Sequence, residues 1–166
     1  MVGGGAACLQ RERTIMPNDN SRRNYAVLAV SIAVAAVFMY AGLGKVREPL
    51  QFADSTAAFA ILPAVFINLF VMGLPPFEFA CGVLLLVPPT RRVGALAVAV
   101  VSLMFFTALA SALLRGLTLD CGCFGVGAPS RPRMWIELVV DTVLFAGAIF
   151  VYLRSITRTP SPAPAP

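Results

Sequence analysis

Four long apolar runs, separated by short polar stretches, dominate the hydrophobic pattern of this 166-residue chain. Each run is close to or longer than the ~20 residues that a helix needs to cross the ~30 Å hydrocarbon core of a bilayer. The predicted spans are residues 25–43, 63–87, 93–114 and 134–153. The predicted fold class is therefore all-α: an integral membrane protein built as an antiparallel four-helix bundle.

The second span and the segment before it depart from a simple apolar helix. Residues 73–76 read Gly-Leu-Pro-Pro, and proline removes a backbone donor and kinks a helix. Neither half of this run is long enough to cross a membrane alone, so we expect one kinked span. Residues 46–62 are mixed in polarity and predict a short interfacial helix. Asp54 or Ser55 is the expected N-cap of that helix.

Both ends of the chain are polar and lie outside the predicted membrane domain, residues 25–153. Residues 1–24 are Gly-rich and Arg-containing, and we expect a disordered basic arm. Met16 is an alternative start that would shorten this arm. Residues 154–166 alternate proline with small residues toward their end, which predicts an extended, disordered tail.

Composition narrows the functional classes. The chain is 58% hydrophobic and only 13% charged, against about one quarter charged in soluble domains. It contains no histidine, which excludes His-ligated haem, His-containing zinc sites and histidine general bases. The net charge of +5 comes from arginines that flank the apolar runs. These arginines indicate membrane topology, so we expect a lipid bilayer and no nucleic acid as partner.

The distribution of Lys and Arg predicts an orientation. With both termini in the cytoplasm, eight of the thirteen cations lie inside and five outside; a start at Met16 reduces this to six against five. Because cytoplasmic flanks are enriched in Lys and Arg, we expect a multi-pass plasma-membrane protein with both termini cytoplasmic. The loop between the third and fourth spans is then extracytoplasmic, where disulfides persist.

That loop contains the most chemically specific feature of the chain, the neighbouring cysteines Cys121 and Cys123. The surrounding supporting positions are Asp120, Gly122, Phe124 and Gly125. A disulfide between Cys121 and Cys123 closes a very small ring, and strained bridges are suited to exchange rather than stapling. Either cysteine can be the attacking thiol.

Three interpretations of the cysteine pair remain open. The first is thiol–disulfide exchange with a partner protein, which we favour. The second is a soft-metal site for Cu(I), but two cysteines without histidine are a poor ligand set, so we assign no metal and no cofactor. The third is a structural role in shaping the loop.

Two carboxylates within the spans are further candidates. An ionisable residue inside a span is costly and is a functional hypothesis by default. Glu78 lies at the proline kink, where we expect it either to be protonated or to bind a polar group such as Tyr40, Ser102 or Thr107 across the bundle. Asp141 should point into the bundle and share a helix face with Glu137, so that the two carboxylates can relay protons.

Glu137 and Cys81 are interpreted as structural residues. Glu137 lies near the outer end of the fourth span, so we expect it to face water. Cys81 lies within the second span, on the cytoplasmic side of the loop cysteines, and we interpret it as a small buried hydrophobe.

Taken together, these motifs resemble the methylamine utilisation protein MauE family, which belongs to the DoxX-like four-span membrane proteins. The resemblance covers residues 25–153. The matching positions are Gly44-Lys45, Pro49, Phe52, Ile61-Leu62-Pro63, Pro76-Phe77-Glu78, Gly82, Leu84-Leu85-Leu86, Arg115-Gly116 and Asp120-Cys121-Gly122-Cys123-Phe124-Gly125. The Cys-Gly-Cys-Phe-Gly run is the most specific, and Phe77 stands where tryptophan is more usual.

The resemblance implies a role in maturing extracytoplasmic proteins. Named members are linked to processing, transport or maturation of the disulfide-rich small subunit of methylamine dehydrogenase, alongside a thioredoxin-like protein. The expected partner is therefore a thioredoxin-like protein or a secreted, disulfide-containing client. If the chain is an enzyme, it is a thiol–disulfide exchange protein rather than a metabolic enzyme. The alternative is a non-catalytic membrane scaffold or small-molecule carrier with a structural cysteine pair.

Overall fold

The computed structural model describes residues 19–61, 63–119 and 130–157, with side chains from residue 24 onward. This part of the chain contains five helices and no strand. They are α1 (Asp19–Arg47), α2 (Pro49–Ala58), α3 (Ala64–Leu86), α4 (Arg91–Leu114) and α5 (Arg131–Ile156). All but α2 are long and apolar enough to cross a membrane. The predicted four-helix membrane bundle is confirmed.

The four long helices form a closed ring. α1 packs against α3 and α5, and α4 packs against the same two helices. The main core fills the centre of this ring, and two smaller clusters lie near α2. The buried residues of the main core are Val27, Val34, Ala35, Phe38, Cys81, Leu85, Ala95, Val98, Ala99, Val101, Leu144, Ala148 and Val151.

Most helices extend beyond the apolar runs that predict them. α1 continues through Lys45 to Arg47, and α5 already begins at Arg131. Long cationic side chains allow such extensions, since their stems lie along apolar surface while the charge can reach a polar group. Of the predicted arm and tail, residues 1–18 and 158–166 lie outside the described part of the chain. Their disorder stays a prediction.

The short helix after the first span is present, but its predicted start is wrong. α2 begins at Pro49, which follows Glu48 at the N-cap position. Asp54 and Ser55 lie inside α2 and do not cap it. Proline suits the first helical turn because its fixed φ is already helical and its missing N–H has no partner there.

α3 runs through Pro75 and Pro76 as one helix. The two prolines lack the N–H groups that would otherwise bond the carbonyls of Val71 and Met72 one turn earlier. The predicted single span through this segment is therefore correct, and the weakest part of its hydrogen-bond ladder lies just before Glu78.

Glycines set the closest helix approaches. A Cβ on Gly94 of α4 would lie 2.6 Å from the backbone nitrogen of Leu85 in α3. A Cβ on Gly82 of α3 would lie 2.8 Å from Cγ of Met39 in α1. Contacts this short exclude any larger side chain unless a neighbour shifts, so these glycines fix how α3 sits between α1 and α4.

The two ends of the bundle are closed by side chains that bind helix carbonyls. At the α3–α4 turn, Arg91 Nε donates to the Leu85 carbonyl at 3.2 Å and Thr90 Oγ1 to that of Leu84 at 3.0 Å. At the opposite end, Arg115 Nη2 donates to the Phe59 carbonyl at 2.7 Å. We call this second end, where α4 stops and α5 starts, the loop end.

Candidate functional site

The predicted cysteine site lies outside the described residues. Residues 120–129 are not described, and this range contains Asp120, Cys121, Gly122, Cys123, Phe124 and Gly125. The chain enters the range at Leu119, whose backbone N–H donates to Sδ of Met134 at 3.4 Å. It leaves the range at Ser130, which precedes α5. The role of the cysteine pair therefore stays a prediction.

Below the loop end, a lysine and a glutamate form a buried ion pair inside the bundle. Lys45 Nζ of α1 lies 2.9 Å from Oε1 and 3.0 Å from Oε2 of Glu78 in α3. Each residue is only 2% exposed. If one partner of a buried pair is removed, the other charge remains buried without compensation. In the intact pair, the mutual attraction offsets much of the cost of desolvating both charges. This pair therefore locks α1 against α3.

Two aromatic rings cover the ammonium group of Lys45. Nζ lies 5.6 Å from the ring centroid of Phe52 in α2 and 5.0 Å from that of Phe105 in α4. Both distances are within the ~6 Å range of cation–π attraction. The described surroundings of the ammonium group thus include an anion and two π faces.

Gly42 makes the ion pair possible. It lies one turn before Lys45 on α1, and a Cβ there would lie 3.1 Å from the Pro75 carbonyl oxygen and 3.6 Å from Oε2 of Glu78. Because glycine has no side chain, α1 can approach α3 closely at this level. The approach brings Lys45 over Glu78 and not toward the lipid.

Helix α5 adds two more carboxylates to the same region. Asp141 is buried, as expected, and lies within electrostatic range of Lys45, Glu78 and Glu137. Glu137 is 2% exposed, so the expectation that it faces water is wrong. Its Oε1 lies 3.7 Å from Nε of Arg133, one turn closer to the loop end. The helix buries this face because α5 packs against both α1 and α4.

A small cavity connects the ion pair with Asp141. Its volume is about 20 Å³, and both Glu78 and Asp141 line it. Its other lining residues are Val37, Phe38, Ala41, Phe105 and Leu144. We call Lys45, Glu78, Glu137 and Asp141 the charge cluster, to which α1, α3 and α5 contribute charges while α2 and α4 contribute the rings of Phe52 and Phe105.

The charge cluster lies near the middle of the bundle. At 1.5 Å per residue, Asp141 is about 15 Å along α5 from Arg131. Phe105 is about 14 Å along α4 from Leu114, by the same rise. Glu78 is about 12 Å along α3 from Leu86, by the same rise. The cluster is therefore deep enough to be surrounded by protein and lipid, at comparable distances from the loop end and from the α3–α4 turn.

The predicted partners of Glu78 are wrong. Tyr40 is exposed, and Thr107 Oγ1 donates to the carbonyl of Met104 in its own helix. Ser102 is buried but has no hydrogen-bond partner among the described residues. The actual partner, Lys45, was missed because it follows the first apolar run and reads as a membrane-edge cation. The useful signal was the combination of a single lysine in the chain and an intramembrane glutamate.

The remaining described cysteine is not part of the cluster. Cys81 is 1% exposed and belongs to the main apolar core, one turn beyond Glu78 on α3. Its interpretation as a small buried hydrophobe is supported by this environment. Within the described ranges, no three His, Cys, Asp or Glu residues are arranged to hold a metal ion.

Comparison with known proteins identifies the family. The sequence profile described as methylamine utilisation protein MauE matches residues 23–154. The methylamine utilization protein MauE of Paracoccus denitrificans is 35% identical over 138 residues, which cover 82% of this chain and 72% of the relative. That of Methylophilus methylotrophus is 34% identical over 134 residues, covering 80% and 67%. No solved structure matches the chain. The chain belongs to the methylamine utilisation protein MauE family.

Proposed function

We propose that this membrane protein supports methylamine utilisation by assisting the maturation of an extracytoplasmic protein through thiol–disulfide exchange. Cys121 and Cys123 are the exchanging pair. The observation that carries the proposal is their spacing of one glycine within the connection between two membrane helices. Membership of the MauE family supports the biological context, because two relatives carry methylamine utilisation in their names.

The burial of Cys81 strengthens the assignment to the loop pair. Its thiol lies in the apolar core, where no soluble protein can reach it. Exchange with an external partner therefore requires cysteines outside the bundle interior, since a thiolate must contact the disulfide sulfur that it attacks. In the proposed membrane domain, only Cys121 and Cys123 meet this requirement by sequence position.

The exchange is balanced between two dithiol–disulfide couples. One thiolate of the pair attacks a sulfur of the partner disulfide, which forms a mixed disulfide and releases a partner thiolate. The second thiolate then attacks the mixed disulfide, so the pair becomes a disulfide and the partner becomes a dithiol. Two electrons and two protons pass to the partner. The reverse sequence oxidises a client, with a thioredoxin-like protein as the other couple.

The proposed orientation puts the pair on the oxidising side of the plasma membrane. Eight of thirteen Lys and Arg residues flank the side with both termini, which favours a cytoplasmic location for the termini. The connection between α4 and α5 then faces the extracytoplasmic space. Disulfides persist there and are rare in the cytosol.

Trapping the mixed disulfide tests the exchange. Cys123→Ser leaves Cys121 to attack without a resolving thiol, and Cys121→Ser does the reverse. We expect one of the two variants to accumulate a reductant-sensitive adduct with a thioredoxin-like or disulfide-containing protein, seen on non-reducing gels and identified by mass spectrometry. Cys81→Ser is the matched control and should form none. Absence of any adduct from both variants contradicts the proposal.

A cavity favours a second candidate function, that of a small-molecule carrier. It has a volume of about 280 Å³ and lies between α2, α3 and α4. Its lining is almost entirely apolar and includes Phe52, Phe59, Phe70, Met104 and Phe105. The double variant Cys121→Ser/Cys123→Ser separates the two candidates, because a carrier keeps its activity in supporting growth on methylamine and an exchange protein loses it.

A further inference from the structure

We propose that the cavity between Glu78 and Asp141 binds one water molecule, which links Asp141 to the Lys45–Glu78 ion pair and makes the charge cluster a proton store accessible from the loop end. This site is distinct from the cysteine pair, and it does not depend on thiol chemistry. It uses only residues that lie inside the bundle.

The size and lining of the cavity fit a single water. Its volume of about 20 Å³ exceeds the ~10–15 Å³ of probe-occupied volume that one water requires. Empty cavities in proteins are apolar, whereas a buried water needs two to four polar partners. Glu78 and Asp141 supply carboxylate oxygens from two different helices, so this cavity is polar at two points of its wall.

Asp141 needs such a partner. It is 7% exposed, and it makes no hydrogen bond with any residue in the described ranges. Its other neighbouring groove, between α4 and α5, is lined by Leu103, Phe106 and Phe145, and the hydroxyl of Thr142 there donates to the Leu138 carbonyl at 2.8 Å. Burying a carboxyl group without a hydrogen bond is costly, so the polar partner lies on the Glu78 side.

The described charges of the cluster favour a stored proton. At this level α1 contributes Lys45, α3 contributes Glu78, and α5 contributes Arg133, Glu137 and Asp141. Within the described residues, two cations therefore face three carboxylates. Lys45 pairs with Glu78 and Arg133 pairs with Glu137. In this proposal the proton is stored on Asp141, which is buried and lines the cavity.

The water gives that proton a path. Asp141 donates its proton to the water while the water donates one of its own to Glu78, so one proton moves and the water stays neutral. Toward the loop end, the next group on the same face of α5 that can accept a proton is Glu137, one turn and about 6 Å from Asp141. Arg133 follows one turn later as the cation paired with Glu137. The Arg133 side chain is 28% exposed, which opens this face to solvent.

In the opposite direction the described part of the bundle offers few polar side chains. The buried hydroxyl of Ser102 lies on α4, one turn beyond Phe105, and has no hydrogen-bond partner among the described residues. The next turns present Cys81 and Leu85 on α3, and Leu144 and Ala148 on α5, all within the main core. The hydroxyl of Ser31, deeper in α1, donates to the Val27 carbonyl at 2.7 Å. Protons therefore exchange with one side of the membrane, and the cluster stores protons without conducting them across.

Infrared spectroscopy of the full-length protein in lipid nanodiscs tests the water directly. We expect a protonated-carboxyl C=O band that Asp141→Asn removes, and a water O–H band that shifts when H₂¹⁸O replaces ordinary water. A carboxyl band that persists in Asp141→Asn assigns the proton elsewhere and overturns the proposal. The absence of any isotope-sensitive water band in the wild-type protein also overturns it, with no variant needed.

A cavity-filling substitution distinguishes the effect of the water from the effect of the two carboxyl groups. Ala41→Val adds two methyl groups to the cavity wall and leaves both acids in place. We expect the carboxyl band to persist but to move to higher frequency, because Asp141 loses its hydrogen bond, while the water band disappears. Ala36→Val, on the exposed face of the same helix, is the matched control and should leave both bands unchanged. An Ala41→Val spectrum identical to wild type contradicts the site.

One-sided access is tested in proteoliposomes. With a potassium diffusion potential imposed and a pH-sensitive dye inside, the wild-type protein should give no more proton flux than protein-free vesicles of the same lipid. Flux above this background that Asp141→Asn abolishes would show a path through the whole bundle and would overturn the one-sided store.

Discussion

At the scale of single residues, the buried Lys45–Glu78 pair is the feature on which the site depends. Its two Nζ–carboxylate contacts of 2.9 and 3.0 Å are made where the side chains are almost fully buried. In such surroundings a charge without its partner is expensive, but an apolar pair of similar volume is tolerated. The pair therefore has a stability signature that can be distinguished from that of surface charges.

Lys45→Met should lower the free energy of unfolding by about 3–5 kcal/mol, the range for stranding one partner of a buried pair. Lys45→Met/Glu78→Leu should recover most of this loss, because neither charge then remains. The measurement is equilibrium unfolding in mixed detergent micelles. Arg47→Met, two residues further along α1 and exposed, is the control and should change stability little. Equal losses in the single and double variants would contradict this account.

The sequence identified Glu78 and Asp141 as candidates, but it did not indicate that Lys45 and Glu137 are buried beside them. A carboxylate inside a span is conspicuous in any sequence, so both were recognised as candidates. Lys45 and Glu137 lie near predicted span ends, where charges ordinarily face water or headgroups. Their burial depends on how far each helix is shifted along its neighbours, and hydrophobic periodicity in one helix carries no information about that shift.

At the scale of helices, small residues determine this relative shift. Gly42 faces the Pro75 carbonyl, Gly82 faces Met39, and Gly94 faces the backbone of Leu85. The contact at Gly42 places Lys45, near the end of α1, at the same depth in the bundle as Glu78. Glu78 itself is about 21 Å along α3 from Ala64, where that helix begins. α3 therefore begins well beyond the end of α1, and α2 packs against its first turns.

The same Gly→Ala substitution should have opposite effects at two positions. At Gly94 the added Cβ would lie 2.6 Å from a backbone nitrogen, so the helices must separate and stability should fall clearly. At Gly73 the Cβ would meet nothing within 4 Å, so alanine should stabilise by about 0.5–1 kcal/mol through helix propensity. Thermal unfolding in the same detergent compares the two, and losses of similar size at both would contradict the packing.

The helices themselves were largely predictable from the sequence. Four apolar runs of suitable length gave the four spans, and mixed polarity gave the short helix between the first two. The ends were less accurate because a membrane helix continues into its polar flanks as long as backbone geometry permits. The start of α2 was wrong because proline at the first turn outweighed the capping ability of Asp54 or Ser55.

At the scale of the whole molecule, the bundle separates two kinds of chemistry. The charge cluster lies near the middle of the bundle, and the proposed exchanging cysteines belong to the connection at the loop end. The main core of the bundle is apolar and contains Cys81. The charge cluster and the proposed exchange chemistry therefore lie at different depths of the bundle.

The most direct test of this account is the oxidation state and accessibility of Cys121 and Cys123 in intact cells. A membrane-impermeant maleimide should label the pair only after external reduction, and Cys81 should stay unlabelled until the protein is denatured. A Cys121→Ser/Cys123→Ser variant gives the background. The account predicts a pair that is at least partly disulfide-bonded and accessible from outside. A pair that is always reduced, and labelled only after the membrane is permeabilised, would contradict it.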